Sequence, residues 1–139
     1  METFVTHSQE ETHDIAKKLS SSLSSNIICL WGELGAGKTI FAQGLADYYG
    51  ITRAPSPTFT IIKEYSLNHR KYKRLYHIDL YRLDTAHDIR SMDLNEIWAQ
   101  KDNLVIIEWP QKALSLLPED RVDVFLESQP GGVCRITIK

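Results

Sequence analysis

Two unbroken apolar runs, Ile27 to Trp31 and Leu104 to Ile107, stand out in a chain whose other apolar positions are spaced. Short runs of this kind, one stopped by Gly32 and the other by Glu108 and Pro110, predict strands buried on both faces of a parallel sheet. Elsewhere apolar and polar positions alternate, which predicts strands with one face covered. Glu2 to Thr6 is such a strand, and Thr58 to Tyr65 and Arg74 to Tyr81 form an antiparallel pair bending near Asn68. Arg121 to Glu127 and Val133 to Lys139 form a terminal hairpin around Pro130-Gly131-Gly132. Helical spacing appears twice at length. Ile15, Ala16, Leu19 and Leu23 share one face of a helix that Ser8 caps, with Glu11 completing a capping box, and the serines from Ser20 to Ser25 end it. Phe41, Ala42 and Leu45 form the inner stripe of a second helix, from Lys38 to Tyr49, stopped by Gly50. Leu94 to Ala99 predicts a turn or two of helix, and Lys112 to Leu117 a short helix ended by Pro118. Arg53 to Pro57 is an extended linker, and Asp84 to Asp93 is a polar short helix or loop.

Buried strands alternating with amphipathic helices specify an α/β domain. A length of 139 residues suits one domain, 1–139, with no internal repeat. A domain of this size buries roughly two-thirds of its unfolded surface and needs no staple. The two cysteines, Cys29 and Cys134, lie far apart and suit a reducing compartment. The N-terminus has no apolar signal region, and no apolar run approaches the ~20 residues of a membrane helix. A cytoplasmic location and no membrane partner are expected. A net charge of -2 shows no global basic excess for nucleic acid.

Gly32-Glu33-Leu34-Gly35-Ala36-Gly37-Lys38-Thr39 matches Gly-x-x-x-x-Gly-Lys-[Ser/Thr] and lies between a predicted strand and a predicted helix. The glycines let successive backbone N–H groups turn into one concavity, and the helix start adds its unpaired N–H groups and positive dipole end. Lys38 supplies charge for the β- and γ-phosphates, and the Thr39 hydroxyl is a hard ligand for Mg²⁺. The chemistry is that of a nucleoside triphosphate site, with Gly32, Leu34, Gly35, Ala36, Gly37, Lys38, Thr39 and Ile40 as the candidate binding residues. No Asn-Lys-x-Asp is present to argue for guanine, and ATP with Mg²⁺ is the expected pair.

Such a site also needs an acid near the metal and a group to orient the attacking species. Glu108 ends an apolar strand, the Walker B arrangement with Glu for the commoner Asp, and Asp79 is set in a strand-like segment. Which acid meets the metal is open; Glu108 also reads as a strand-end acid in a helix cap or ion pair, and Asp79 as the partner of Arg82 or another base. Thr58, in Ser56-Pro57-Thr58-Phe59-Thr60, lies either in a γ-phosphate sensor or in a stiff connection. His77 is either structural or catalytic beside Asp79. The basic cluster His69 to Arg74 is either a solvated hairpin tip or a contact for RNA or an acidic partner.

In order, the phosphate loop (32–39), Ser-Pro-Thr-Phe-Thr (56–60), His-Ile-Asp-Leu-Tyr-Arg (77–82) and Glu-Trp-Pro (108–110) resemble the TsaE family over nearly the whole chain. The resemblance implies a P-loop NTPase-type three-layer α/β domain with a mixed parallel and antiparallel sheet. It implies weak ATP hydrolysis with Mg²⁺, serving threonylcarbamoylation of adenosine 37 in tRNAs that read ANN codons. TsaB and TsaD are the implied partners, with tRNA met through their complex. By position, Lys38 matches the phosphate lysine, Thr39 the metal hydroxyl, Glu108 the metal-associated acid and Asp79 the aspartate of the third motif. Thr58 matches the switch-like segment, Trp109 the tryptophan beside the acid, and Ser8 to Thr12 a region near the adenine. Asp93 stands where many members have Gly, a residue that permits a positive φ which Asp tolerates less well, though better than most residues. A small-molecule or nucleoside kinase, and a nucleotide-dependent adaptor without turnover, share the loop and the size.

Overall fold

The computed structural model describes residues 1–52, 62–83 and 93–139. Strands β1 (Glu2–Thr6), β2 (Ile27–Trp31), β3 (Ile62–Ser66), β4 (Arg74–Asp79), β5 (Asn103–Glu108), β6 (Val122–Gln129) and β7 (Val133–Ile138) form one sheet. Its order is β1-β7-β6-β2-β5-β4-β3. β6, β2, β5 and β4 run parallel, while β3 joins one side and β7 and β1 the other by antiparallel pairing. The expected mixed α/β sheet is thus observed.

The two apolar runs become the central strands because only there are both faces covered. Ile28 and Leu30 of β2 face helices α1 (Gln9–Ser20) and α2 (Lys38–Tyr48), where Ala16, Phe41 and Leu45 meet them. Cys29 of β2 and Val105 and Ile107 of β5 face the other way, toward Leu94 and Trp98 of helix α3 (Leu94–Ala99) and Ala113. Three layers result. Burial raises the Cys29 thiol pKa to about 12, so it is a packing residue rather than a nucleophile.

The two long helices meet at a glycine. A Cβ on Gly44 would lie 2.5 Å from the His13 carbonyl oxygen and 2.7 Å from the Ala16 Cβ, so only a bare Cα lets α1 approach. His13 Nε2 and Asp47 Oδ2, 2.5 Å apart, join the pair at its edge.

Several elements differ from their sequence-based bounds. Ser8 Oγ accepts from the Glu11 N–H as expected, but the Glu11 carboxylate accepts from the His7 N–H, one residue before the cap. β4 stops at Asp79 instead of Tyr81, because Asp79 Oδ1 accepts from the Tyr81 N–H and turns the chain. The helix expected over Lys112 to Leu117 is a 3₁₀ segment, Pro110–Leu116, kinked at Ala113. Pro110 occupies its first turn, where no N–H is needed. β3 begins at Ile62, and the rest of the strand expected from Thr58 lies outside the described residues, as does most of Asp84 to Asp93.

Candidate functional site

At the end of β2 the chain turns through Gly32 (φ 153°), Gly35 (φ 78°) and Gly37 (φ 103°) into α2. A Cβ on Gly32 would lie 2.6 Å from the Leu126 carbonyl oxygen, so the loop is seated tightly against β6. Gly37 caps α2 in the left-handed region and offers no side-chain acceptor. The first N–H groups of α2 are therefore left facing outward, the condition for holding an anion.

Lys38, the first residue of α2, is only 5% exposed. Its amine donates to the carbonyl oxygens of Gly32 and Glu33 and lies 3.7 Å from the centroid of the Trp109 ring. Burial pulls its pKa below the usual lysine value, opposed by the charges of Glu108, Asp79 and Glu33. The resemblance singled out Trp109 without a role, and here its ring covers the Lys38 amine. It does so in a left-handed conformation, φ 58° and ψ 49°.

Pairing of β4 with β5 sets Asp79 directly beside Glu108, and pairing of β5 with β2 sets Glu108 beside Leu30. Both acids thus end parallel strands next to the loop, the usual place of a ligand crevice in such sheets. They differ in setting. Glu108 is 3% exposed, and its Oε2 lies 2.5 Å from His77 Nε2. Asp79 is half-buried, and burial raises its pKa above the ordinary carboxylate range, with the Tyr81 N–H opposing.

A cleft of about 380 Å³ lies between these groups. Leu34, Gly35, Gly37, Lys38, Thr39 and Ile40 line one side, and Asp79 and Glu108 the other. Tyr81 and Trp109, whose rings are 4.8 Å apart, form part of its wall. A second recess of about 360 Å³ adjoins it, bounded by Ser8, Gln9, Thr12, Ile40 and Cys134. Gln9 and Ile40 border both. Ser8, Gln9 and Thr12 thus border the same recess as Gly35, Ala36 and Gly37 of the loop.

Gly32 and Ala36 stand apart from the first cleft: Ala36 is 4% exposed, its N–H bonds to the Glu33 carbonyl, and its own carbonyl accepts from the Cys134 thiol. These two shape the loop from behind. Thr58 lies outside the described residues. Tyr81 was visible only as part of a motif, and Gln9 only as part of the segment from Ser8 to Thr12.

The donor set suits Mg²⁺ brought with a triphosphate better than a caged metal. No group of three or more His, Cys, Asp and Glu side chains among the described residues could hold an ion. One hydroxyl and two carboxylates remain, a sparse oxygen set that leaves room for the waters and phosphate oxygens Mg²⁺ retains.

The basic cluster lies at the other end of α2. His69 Nδ1 accepts from the N–H groups of Lys71 and Tyr72, and its ring meets Tyr49 at 5.1 Å. The cluster is therefore separate from the cleft. Asp93, which precedes α3, has a positive φ of 51°. No helix among the described residues is long and apolar enough to cross a membrane.

Comparison with known proteins agrees with this architecture. A family model described as threonylcarbamoyl adenosine biosynthesis protein TsaE matches residues 6–135. A Rickettsia bellii protein named tRNA threonylcarbamoyladenosine biosynthesis protein TsaE is 36% identical over 138 residues, covering 96% of this chain and 92% of its own. The Borreliella burgdorferi protein of the same name is 42% identical over 96 residues, covering 69% and 68%. The crystal structure of YdiB from Bacillus subtilis superposes with a TM-score of 0.79 at 32% identity, covering 99% of this chain and 83% of that one.

Proposed function

The chain belongs to the TsaE family, and on that premise we propose that it binds ATP with Mg²⁺ and hydrolyses it in the service of tRNA threonylcarbamoylation. The reading places its action on a TsaB–TsaD complex that modifies adenosine 37 of tRNAs reading ANN codons, with tRNA met through that complex in the cytoplasm. The observation that carries it is the convergence of Lys38, Thr39, Asp79 and Glu108 on one cleft at the ends of parallel strands.

The loop's N–H groups and the start of α2 receive the phosphates, and the recess beside Gln9 and Ile40 has room for the base. Lys38 exchanges the Gly32 and Glu33 carbonyls for β- and γ-phosphate oxygens, which form stronger, charge-assisted bonds. The Thr39 hydroxyl and Glu108, which line the same cleft, would hold the metal. Mg²⁺, when bound, supplies positive charge to the β- and γ-phosphate oxygens. Asp79, whose pKa burial raises above its ordinary value, takes the proton of the attacking water as it adds to the γ-phosphorus and ADP leaves.

The test is ATP hydrolysis by the purified chain, alone and with TsaB, TsaD, threonylcarbamoyl-AMP and tRNA, following modified tRNA over many turnovers. Stimulated hydrolysis with sustained modification, both lost in Lys38→Ala, supports the reading. Nucleotide binding without effect on modification overturns it, and phosphate transferred to a small acceptor indicates a kinase.

A further inference from the structure

Glu108 ends a strand whose every side chain is buried, and it lines the cleft with Lys38. A buried carboxylate near an ammonium gains most by closing on it, because an unpaired charge in a dry site is costly. Here the two stay apart. Lys38 gives its amine to two carbonyls, and the carboxylate is held by an imidazole. The contact is made between side chains that are each 4% exposed.

The geometry follows from the pleat. His77 and Asp79 share one face of β4, since alternate residues do. The register sets His77 beside Ile106 and Asp79 beside Glu108 on parallel β5. His77 therefore reaches Glu108 from one step behind, on the side away from the cleft. An ionised carboxylate only accepts hydrogen bonds, so His77 Nε2–H is the donor and Glu108 Oε2 the acceptor.

We infer that His77 is a positioning residue: it holds Glu108 by one oxygen, keeping the carboxylate off Lys38 and its other oxygen available to the cleft. The lysine then stays free to exchange its carbonyl partners for phosphate. The inference rests on the reading of the cleft as an ATP site, and it assigns His77 no contact with substrate. A histidine that only filled the core would have no bearing on how Lys38 meets phosphate.

The experiment measures ATP affinity in the presence of a chelator, so that neither metal nor turnover enters, together with the melting temperature. His77→Ala should let Glu108 close on Lys38 and weaken ATP binding at least about tenfold, the size of one charge-assisted contact. Adding Glu108→Gln should restore affinity to within about threefold of the parent, because a neutral amide does not capture the lysine. His77→Gln, whose amide can still donate, should stay near the parent. His77→Phe, which keeps volume without a donor, replaces His77→Ala should the latter not fold. A loss that Glu108→Gln does not restore, or a folded His77→Ala with unchanged affinity, overturns the inference while the ATP reading stands. A parent chain that binds no ATP at all removes both.

Discussion

The amine of Lys38 sits 3.7 Å from the centroid of the Trp109 ring, directly beneath the residue that follows Glu108. Trp109 reaches it from a left-handed backbone conformation that costs a non-glycine residue about 1–2 kcal/mol. Tyr81 packs against the same ring. Lys38, Glu108 and their aromatic cover are thus one contiguous unit, and a ligand that draws the lysine away must change the ring's surroundings.

Intrinsic fluorescence reads that change. Of the three tryptophans, Trp31 bonds Asp123 and Trp98 bonds Asn95, so Trp109 is the one against the cation. Adding ATP should alter the emission of the parent chain, and Trp109→Phe should abolish the change. A response of equal size in Trp109→Phe would place the coupling elsewhere.

Lys38→Ala should cost ATP affinity and leave the fold intact. The amine gives up two carbonyl partners and the face of the Trp109 ring, and burial already disfavours its charge. Charge-assisted bonds of about 1.5–3 kcal/mol predict a loss of roughly tenfold to a hundredfold. Calorimetric titration gives the affinity, and circular dichroism should show an unchanged spectrum and a melting temperature no lower than the parent's. A collapsed spectrum would make Lys38 a structural residue.

The parts of this site that were legible in the sequence are those set by neighbours in the chain. Gly35, Gly37, Lys38 and Thr39 form a local loop, and Glu108 ends a run that could only be a buried strand. What stayed hidden depends on register. Nothing local says that Asp79 pairs with Glu108 or that His77 reaches the same carboxylate, because both follow from how β4 lies on β5. Gln9 was legible only as part of the segment from Ser8 to Thr12, because its place at the cleft depends on how α1 packs on α2. Gly44 was hidden too, since a glycine within a helix reads as a weak helix former until the second helix is in place.

Gly44→Ala therefore separates helix propensity from packing. Alanine favours the helix by about 1 kcal/mol. Against this, its Cβ would come within 2.5 Å of the His13 carbonyl oxygen, and backbone cannot yield as a flexible side chain can. Overpacking of this kind costs typically about 1–3 kcal/mol, so the net should be a lower melting temperature. Because α1 carries Gln9 to the cleft, ATP affinity should fall with it. A stabilised variant would mean that α1 shifts freely on α2.

Asp79→Asn should stabilise the free chain at neutral pH while impairing turnover. Burial raises the Asp79 pKa above its unfolded value, so the charged form is the disfavoured one in the fold. For a carboxylate shifted this way, the stability of the protonated form is fully present below the unfolded pKa. It is lost as pH rises through the folded pKa, because the unfolded chain releases its proton first. At neutral pH the parent bears this cost and the neutral amide does not. The melting temperature of Asp79→Asn should therefore exceed the parent's at pH about 7, and the two should converge as pH falls below the ordinary carboxylate range near 4. Thermal melts from acid to neutral pH check the sign, and ATP hydrolysis on the same samples checks the role. A variant less stable than the parent at neutral pH would mean that the carboxylate's bond from the Tyr81 N–H outweighs its burial. Gained stability with unchanged hydrolysis would move the proton-accepting role away from Asp79.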